Sequence, residues 1–290
     1  MKIGYYPGCS LTGTGKEYDI SLRKVLALLD VDVEEIKDWC CCGATSAHAT
    51  NHLLSIALPA RNLLLAQRQN LNELFAPCAA CYSRLICAKH EINTDTKLKE
   101  KVEFVLEEEF NSSTEIINIV QLFQKIGKEK IASQIKVNLK GIKAACYYGC
   151  LLVRPHDITK FDDVEEPSLM EDVLSFTGAE TVKWNYKTEC CGGAHSIARK
   201  DIVTFLSKNI LDDAKRNGAD VIVVACPMCH SNLDMRQRAI KKEYNQHEKM
   251  PILYLSELIG IAFGLSSKQL GINLHFVDAS GLLQTVKAEL

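Results

Sequence analysis

The stretch DWCCCGATSAH, residues 38–48, sets three cysteines in a row ahead of a glycine. Neighbouring cysteines rarely bond to each other, and a zinc knuckle wants its pair two to four residues apart. The whole chain carries 13 cysteines, an odd number. No secretory signal is expected in MKIGYYPGCS, which has one lysine and no apolar stretch behind it. Thiols at this density in a reducing compartment point to metal or redox chemistry rather than to a disulfide framework.

The spacing is repeated. Cys9 is followed by 31 residues, then Cys41 and Cys42, then 35 residues, then Cys78 and Cys81. Cys150 is followed by 39 residues, then Cys190 and Cys191, then 34, then Cys226 and Cys229. The surroundings repeat as well: KIGYYPGC answers IKAACYYGC, FAPCAACYSRL answers VACPMCHSNL, and EIINIVQLFQKIG resembles PILYLSELIGIAFG. Four features in the same order imply an internal duplication, with expected domains at 1–139 and 140–290. Aligning Gly43 with Gly192 sets Cys40 opposite Glu189, so Cys40 is a spare thiol. Cys87 and Cys146 also lack counterparts and read as buried structural thiols. A tetrahedral zinc site would leave one thiolate over in each half. A dithiol motif would explain neither the paired nor the leading cysteines. Metal–sulfur clusters account for all five.

The elements around these cysteines alternate. KIGYY, KAACYY and ADVIVVA read as short buried strands. SLRKVLALLD and DIVTFLSKNILDDAKRN read as helices, the second closed by Gly218. Alternation predicts an α/β fold of two pseudo-symmetric domains, each a small parallel sheet flanked by helices. Each cysteine group follows a strand, so all gather at the carboxyl edge of the sheet, where open α/β folds keep their sites. A helix beginning at each C-x-x-C turns its amides toward that edge and favours thiolates. Gly43 lets the backbone approach inorganic sulfide closely. The charged stretch at about 91–139 reads as a solvated helix and a linker.

Apolar content is 47%, charged content 24% and net charge −2, which argues against a nucleic-acid footprint. The run ILYLSELIGIAFGL is too short to span a bilayer and carries Glu257. The expected location is the cytoplasm, with no membrane span.

The two cysteine sets and their CCG blocks resemble the CCG domains of the B-type subunit of heterodisulfide reductase over essentially the whole chain. The 34 residues after Cys191 fall one short of that family's spacing, a loop change that need not move a ligand. The resemblance implies two noncubane 4Fe–4S clusters, one held by Cys9, Cys41, Cys42, Cys78 and Cys81, the other by Cys150, Cys190, Cys191, Cys226 and Cys229. It implies reduction of the coenzyme M–coenzyme B disulfide, or a related one, held between the clusters. The implied partners are a ferredoxin-like C-type subunit and a flavin-containing A-type subunit, with a hydrogenase or formate dehydrogenase upstream. Related CCG domains serve as electron-transfer subunits of glycolate-, lactate- and succinate-type oxidoreductases, which is the alternative reading. No ferredoxin run or flavin fingerprint is present, so electrons are expected from another polypeptide. Lys16, seven residues past Cys9, is a candidate substrate contact, and His195, four past Cys191, a candidate proton donor. His48 and His230 are weaker candidates.

Overall fold

The structure is a computed structural model that describes residues 1–245 and 249–288. It holds two four-stranded parallel sheets of the same order. The first contains β1 (Lys2–Tyr5), β2 (Asp32–Glu35), β3 (Glu73–Phe75) and β4 (Glu115–Ile117), arranged β2-β1-β3-β4. The second contains β5 (Lys143–Tyr147), β6 (Glu180–Thr181), β7 (Val221–Val224) and β8 (Ile252–Tyr254), arranged β6-β5-β7-β8. The central strand β7 is buried at all four positions, Val-Ile-Val-Val. Helices on both faces of a parallel sheet demand this continuous apolar run, with no polar alternation. The edge strands β2 and β6 are partly or fully exposed and carry acidic residues, which blunts them against further pairing.

The charged stretch at 91–139 is more than a linker. Its lysines and glutamates do form an outer helix, Thr96–Leu106, which buries only Leu98 and Val102. Beyond it lie β4, which completes the first sheet, and the helix Ile119–Ile126, which buries Ile119, Val120, Leu122 and Phe123. The dense charge of residues 97–109 masks the short apolar run that follows. These two elements are the counterparts of β8 and the helix Leu255–Ala262, in keeping with the repeat.

The halves pack through the helix Lys16–Leu28, which lies on Leu255–Ala262. Tyr18 and Tyr254 stack with ring centroids 4.0 Å apart and planes 4° from parallel. The Ser21 and Ser256 hydroxyls lie 2.7 Å apart, fully buried. Tyr254 donates to Glu17 at 3.2 Å. The seam therefore combines aromatic burial with satisfied polar groups, the condition for a single fixed arrangement.

Candidate functional site

Each cysteine group sits just past a carboxyl end of its sheet. Cys9 follows β1 and Cys150 follows β5; Cys78 and Cys226 follow β3 and β7. Cys78 and Cys226 are also the cap residues of the helices Ala79–Thr94 and Pro227–Met235, so those helices start at the thiols. The amides of Cys229 and Met228 at that helix start help to hold the Cys226 thiol low. Gly43 N–H points at Cys41 Sγ at 3.4 Å, and Gly192 N–H at Cys190 Sγ at 3.3 Å. Amides aimed at sulfur stabilise the thiolate, which is the metal-binding form.

The two sets have matching internal geometry. Cys42 and Cys81 sulfurs are 3.3 Å apart, and Cys191 and Cys229 sulfurs 3.5 Å. Cys9 and Cys41 sulfurs lie 3.8 Å apart, and Cys150 and Cys190 shift each other's ionisation, Cys150 upward and Cys190 downward. The turn before each leading cysteine is tight: Gly8 has φ +66° and Gly149 φ +65°. A Cβ at Gly8 would lie 2.9 Å from Cys81 Sγ, and one at Gly149 3.1 Å from Cys229 Sγ. Both positions need glycine for conformation and for room beside sulfur. Among the described residues no three cysteine sulfurs converge as tightly as the single-ion triad of His230, Glu257 and His275 does. Five thiols per set exceed the four ligands of one tetrahedral ion, so the donor count fits a multi-iron group better.

Proton sharing orders the thiols. Hydrogen bonds from Cys41 and Cys81 hold Cys42 well below the ordinary thiol range, against the effect of burial. Cys226 is lowered in the same way by Cys229 and Cys78. Cys190 falls to about 6 through its bond from Cys150, opposed by burial and aided by the Gly192 and Gly193 amides and the nearby His195. Both sets thus contain sulfurs that ionise readily, as metal ligation requires.

The sets meet. Cys78 and Cys226, one from each half, lie close enough to shift each other's ionisation, Cys78 upward and Cys226 downward. The Tyr18 hydroxyl reaches the carbonyls of Pro77 and Ala225, at 3.2 and 3.5 Å, immediately before those two cysteines. Beside this contact lies a cavity of about 250 Å³. All five cysteines of the second set line it, and Ala44, Thr45, His48, Ala79, Ala80 and Arg84 of the first half close it.

The outlying thiols turn elsewhere. Cys40 Sγ lies 3.6 Å from the Leu58 carbonyl, Cys87 is buried within its helix and Cys146 within β5. Tyr6 donates to the Cys40 carbonyl at 2.8 Å, and Tyr147 to the Glu189 carbonyl at 2.6 Å. The same bond in both halves sets Cys40 opposite Glu189, the register read from the sequence. Lys16 is exposed at the start of its helix and does not line the cavity. His195 is exposed, outside the cavity wall, with its charge bearing on Cys190. His48 does reach the cavity. His230 is buried away from it, stacked on Tyr254 at 4.3 Å and bonded to the Ile252 carbonyl at 3.1 Å. Sequence spacing alone does not single out Arg84, although it is the charged residue in CAACYSRL opposite the Asn232 of CPMCHSNL.

The model of the CCG family, a cysteine-rich domain, matches residues 3–86 and again residues 144–234. The chain is a member of the CCG family. This CCG protein is 29% identical to the 8-methylmenaquinol:fumarate reductase membrane anchor subunit of Wolinella succinogenes, over 97% of this chain and 99% of that one. It is also 29% identical to the B-type subunit of the ferredoxin:CoB-CoM heterodisulfide reductase of Methanosarcina mazei, over 96% of this chain and 94% of that one. A solved structure, a hypothetical protein from Helicobacter pylori, superposes with a TM-score of 0.76 at 12% identity. It covers 95% of the CCG protein, which spans about half (51%) of that longer chain; the likeness is one of fold. Tandem CCG domains and these relatives support iron–sulfur clusters as the cofactor class and an oxidoreductase subunit of the heterodisulfide reductase B type. No helix among the described residues is long and apolar enough to cross a membrane.

Proposed function

We propose that this chain is the substrate-converting subunit of a heterodisulfide reductase-type complex. The reaction is RSSR′ + 2e⁻ + 2H⁺ → RSH + R′SH, with coenzyme M–coenzyme B disulfide or a related mixed disulfide as substrate. The observation that carries this reading is the approach of Cys78 to Cys226, one thiol from each set, beside a cavity lined by all five cysteines of the second set. Cys9, Cys41, Cys42, Cys78 and Cys81 would hold one noncubane 4Fe–4S cluster, and Cys150, Cys190, Cys191, Cys226 and Cys229 the other. Such clusters, when bound, supply single electrons and an open iron position for sulfur.

The chain's own contribution is placement. The amides of Gly43 and Gly192 hold the leading sulfur of each CCG pair as an acceptor. Burial of Cys42, Cys78, Cys81, Cys191, Cys226 and Cys229 keeps water from the junction. The substrate enters from the cavity, where it meets the second set directly, and the first set joins the reaction through the approach of Cys78 to Cys226. His195, exposed beside Cys190, relays a proton from solvent toward the product on that side. Electrons come from a ferredoxin-like subunit, itself fed by a flavin-containing subunit, and the assembly works in the cytoplasm.

The test is turnover of coenzyme M–coenzyme B disulfide by anaerobically purified protein, with a reduced viologen replacing the partner. About eight irons per chain and thiol release are expected. A zinc-loaded, iron-poor protein would overturn the cofactor assignment. Full iron without thiol release would leave a second reading, favoured by the end-to-end match to a fumarate reductase subunit: an electron-transfer subunit of a quinol-dependent oxidoreductase.

A further inference from the structure

The duplication is broken at Arg84 in the cavity wall. Arg84 occupies the place in the first half that Asn232 occupies in the second, three residues past Cys81 and Cys229 respectively. Residues three apart share a helix face, so both side chains start from the sulfur side of their helices. Asn232 is committed to its own set: its amide bonds the Cys191 carbonyl at 3.1 Å and Cys191 Sγ at 3.6 Å, and it accepts from Ser196 at 2.8 Å. Arg84 instead reaches the cavity that exposes the other half's cysteines. Its Nη1 donates to His48 Nδ1 at 2.9 Å, which steadies the guanidinium and fixes the proton of that histidine on Nε2. Among the described residues Arg84 has no carboxylate partner, and no acidic side chain lines the cavity. The rest of the wall, cysteines apart, is small or apolar: Ala44, Ala79, Ala80, Leu151 and Met228 among others.

We infer that Arg84, steadied by His48, is an anion-docking residue of the interdomain cavity, receiving a negatively charged end of a short, otherwise apolar thiol or disulfide. A half-buried guanidinium with no carboxylate partner, whose charge otherwise bears on the Cys42 thiol, favours one carboxylate, sulfonate or phosphate group. Its absence from the second half makes the two sides unequal, so the substrate is recognised in one orientation. The inference rests on the reading of this site as one that binds a disulfide and its thiol products.

The experiment measures equilibrium binding of two thiols of similar size to the iron-loaded protein by calorimetry: anionic mercaptoacetate and neutral mercaptoethanol. Wild type should bind the anion about 10-fold more tightly. Arg84→Gln should bring the ratio to within about 2-fold, and Arg84→Lys should keep part of it. Equal binding of both thiols by wild type overturns the assignment, as does a ratio that survives in Arg84→Gln. So does a ratio lost in Lys16→Gln instead, which would make Lys16 the docking cation. Iron content is measured in each variant; loss of iron from both Arg84 variants would make Arg84 a support of the cluster and also overturn the assignment. A turnover arm separates this inference from the functional reading. With dithiodiglycolate the KM of Arg84→Gln should rise about 10-fold, while bis(2-hydroxyethyl) disulfide is reduced as by wild type. Charge-selective binding without turnover of either disulfide removes the reductase reading and leaves Arg84 its role.

Discussion

Individual residues decide which thiols can serve as ligands. Cys40 and Cys42 are two apart in sequence, yet Cys40 turns to the Leu58 carbonyl while Cys42 lies 3.3 Å from Cys81. Cys40→Ser is therefore expected to keep full iron content, and Cys42→Ser to lose the iron of the first set, both read by iron and sulfide analysis. The glycine before each leading cysteine is equally constrained. Gly149→Ala sets a Cβ 3.1 Å from Cys229 Sγ at a φ of +65°. The left-handed backbone alone costs about 1–2 kcal/mol, and the methyl takes space beside the Cys229 sulfur. Lower iron occupancy and a lower thermal midpoint are expected, measured by metal analysis and by circular dichroism.

At the scale of elements, each half depends on the strand–helix unit that closes it. Asn118 caps the helix after β4, accepting from the amides of Val120 and Gln121 at 2.9 and 3.0 Å, while Gln121 bonds back to the Asn118 amide. Asn118→Ala should cost about 1 kcal/mol in denaturant unfolding without altering the cysteine sets. In the second half, Glu257 accepts from the Tyr254 amide at 2.9 Å and from His275 at 3.0 Å. Burial raises its carboxyl to about 7. Burial opposes the His275 charge, but its bond to Glu257 and the attraction of that carboxylate lift it above the ordinary imidazole range. Both groups bind protons more tightly folded than unfolded. Their stabilisation is fully present below the unfolded values and is lost as pH rises through the folded ones. The Glu257 contribution falls between about pH 4.5 and about pH 7, so the wild-type thermal midpoint should lose ground to that of Glu257→Gln across this interval. A difference between the two that does not change with pH would refute the assignment.

At the scale of the whole molecule, the halves are joined where their chemistry is. Tyr18 stacks on Tyr254 and its hydroxyl reaches the residues preceding Cys78 and Cys226. The seam that holds the halves together also sets the distance between the thiol sets. Removing either set should accordingly abolish disulfide reduction, since a two-electron reaction shared between two sites loses its second sulfur contact. The variants are Cys41→Ser with Cys42→Ser, and Cys190→Ser with Cys191→Ser, assayed with a reduced viologen. Substantial thiol release from either double variant would show that one set suffices.

The two matching sets of five cysteines and the register that leaves Cys40 out were legible from spacing, and the parallel α/β architecture from the alternation of apolar strands with helices. A duplicated motif carries its own alignment, and a strand buried on both faces must be apolar throughout. Residues 115–126 were legible only through their match to the second half, because the charge of the neighbouring helix outweighs a short apolar run in any composition window. Lys16 was plausible for its proximity to Cys9 in sequence, but the helix it begins leaves it exposed, outside the cavity wall. Arg84 needed the tertiary structure, which also supplied the partner of His48, a weaker candidate from sequence. They belong to separate helices 36 residues apart, and the cavity they close exposes the cysteines of the other half. Sequence spacing fixes which residues follow a strand end; the packing of one half on the other decides which set they face.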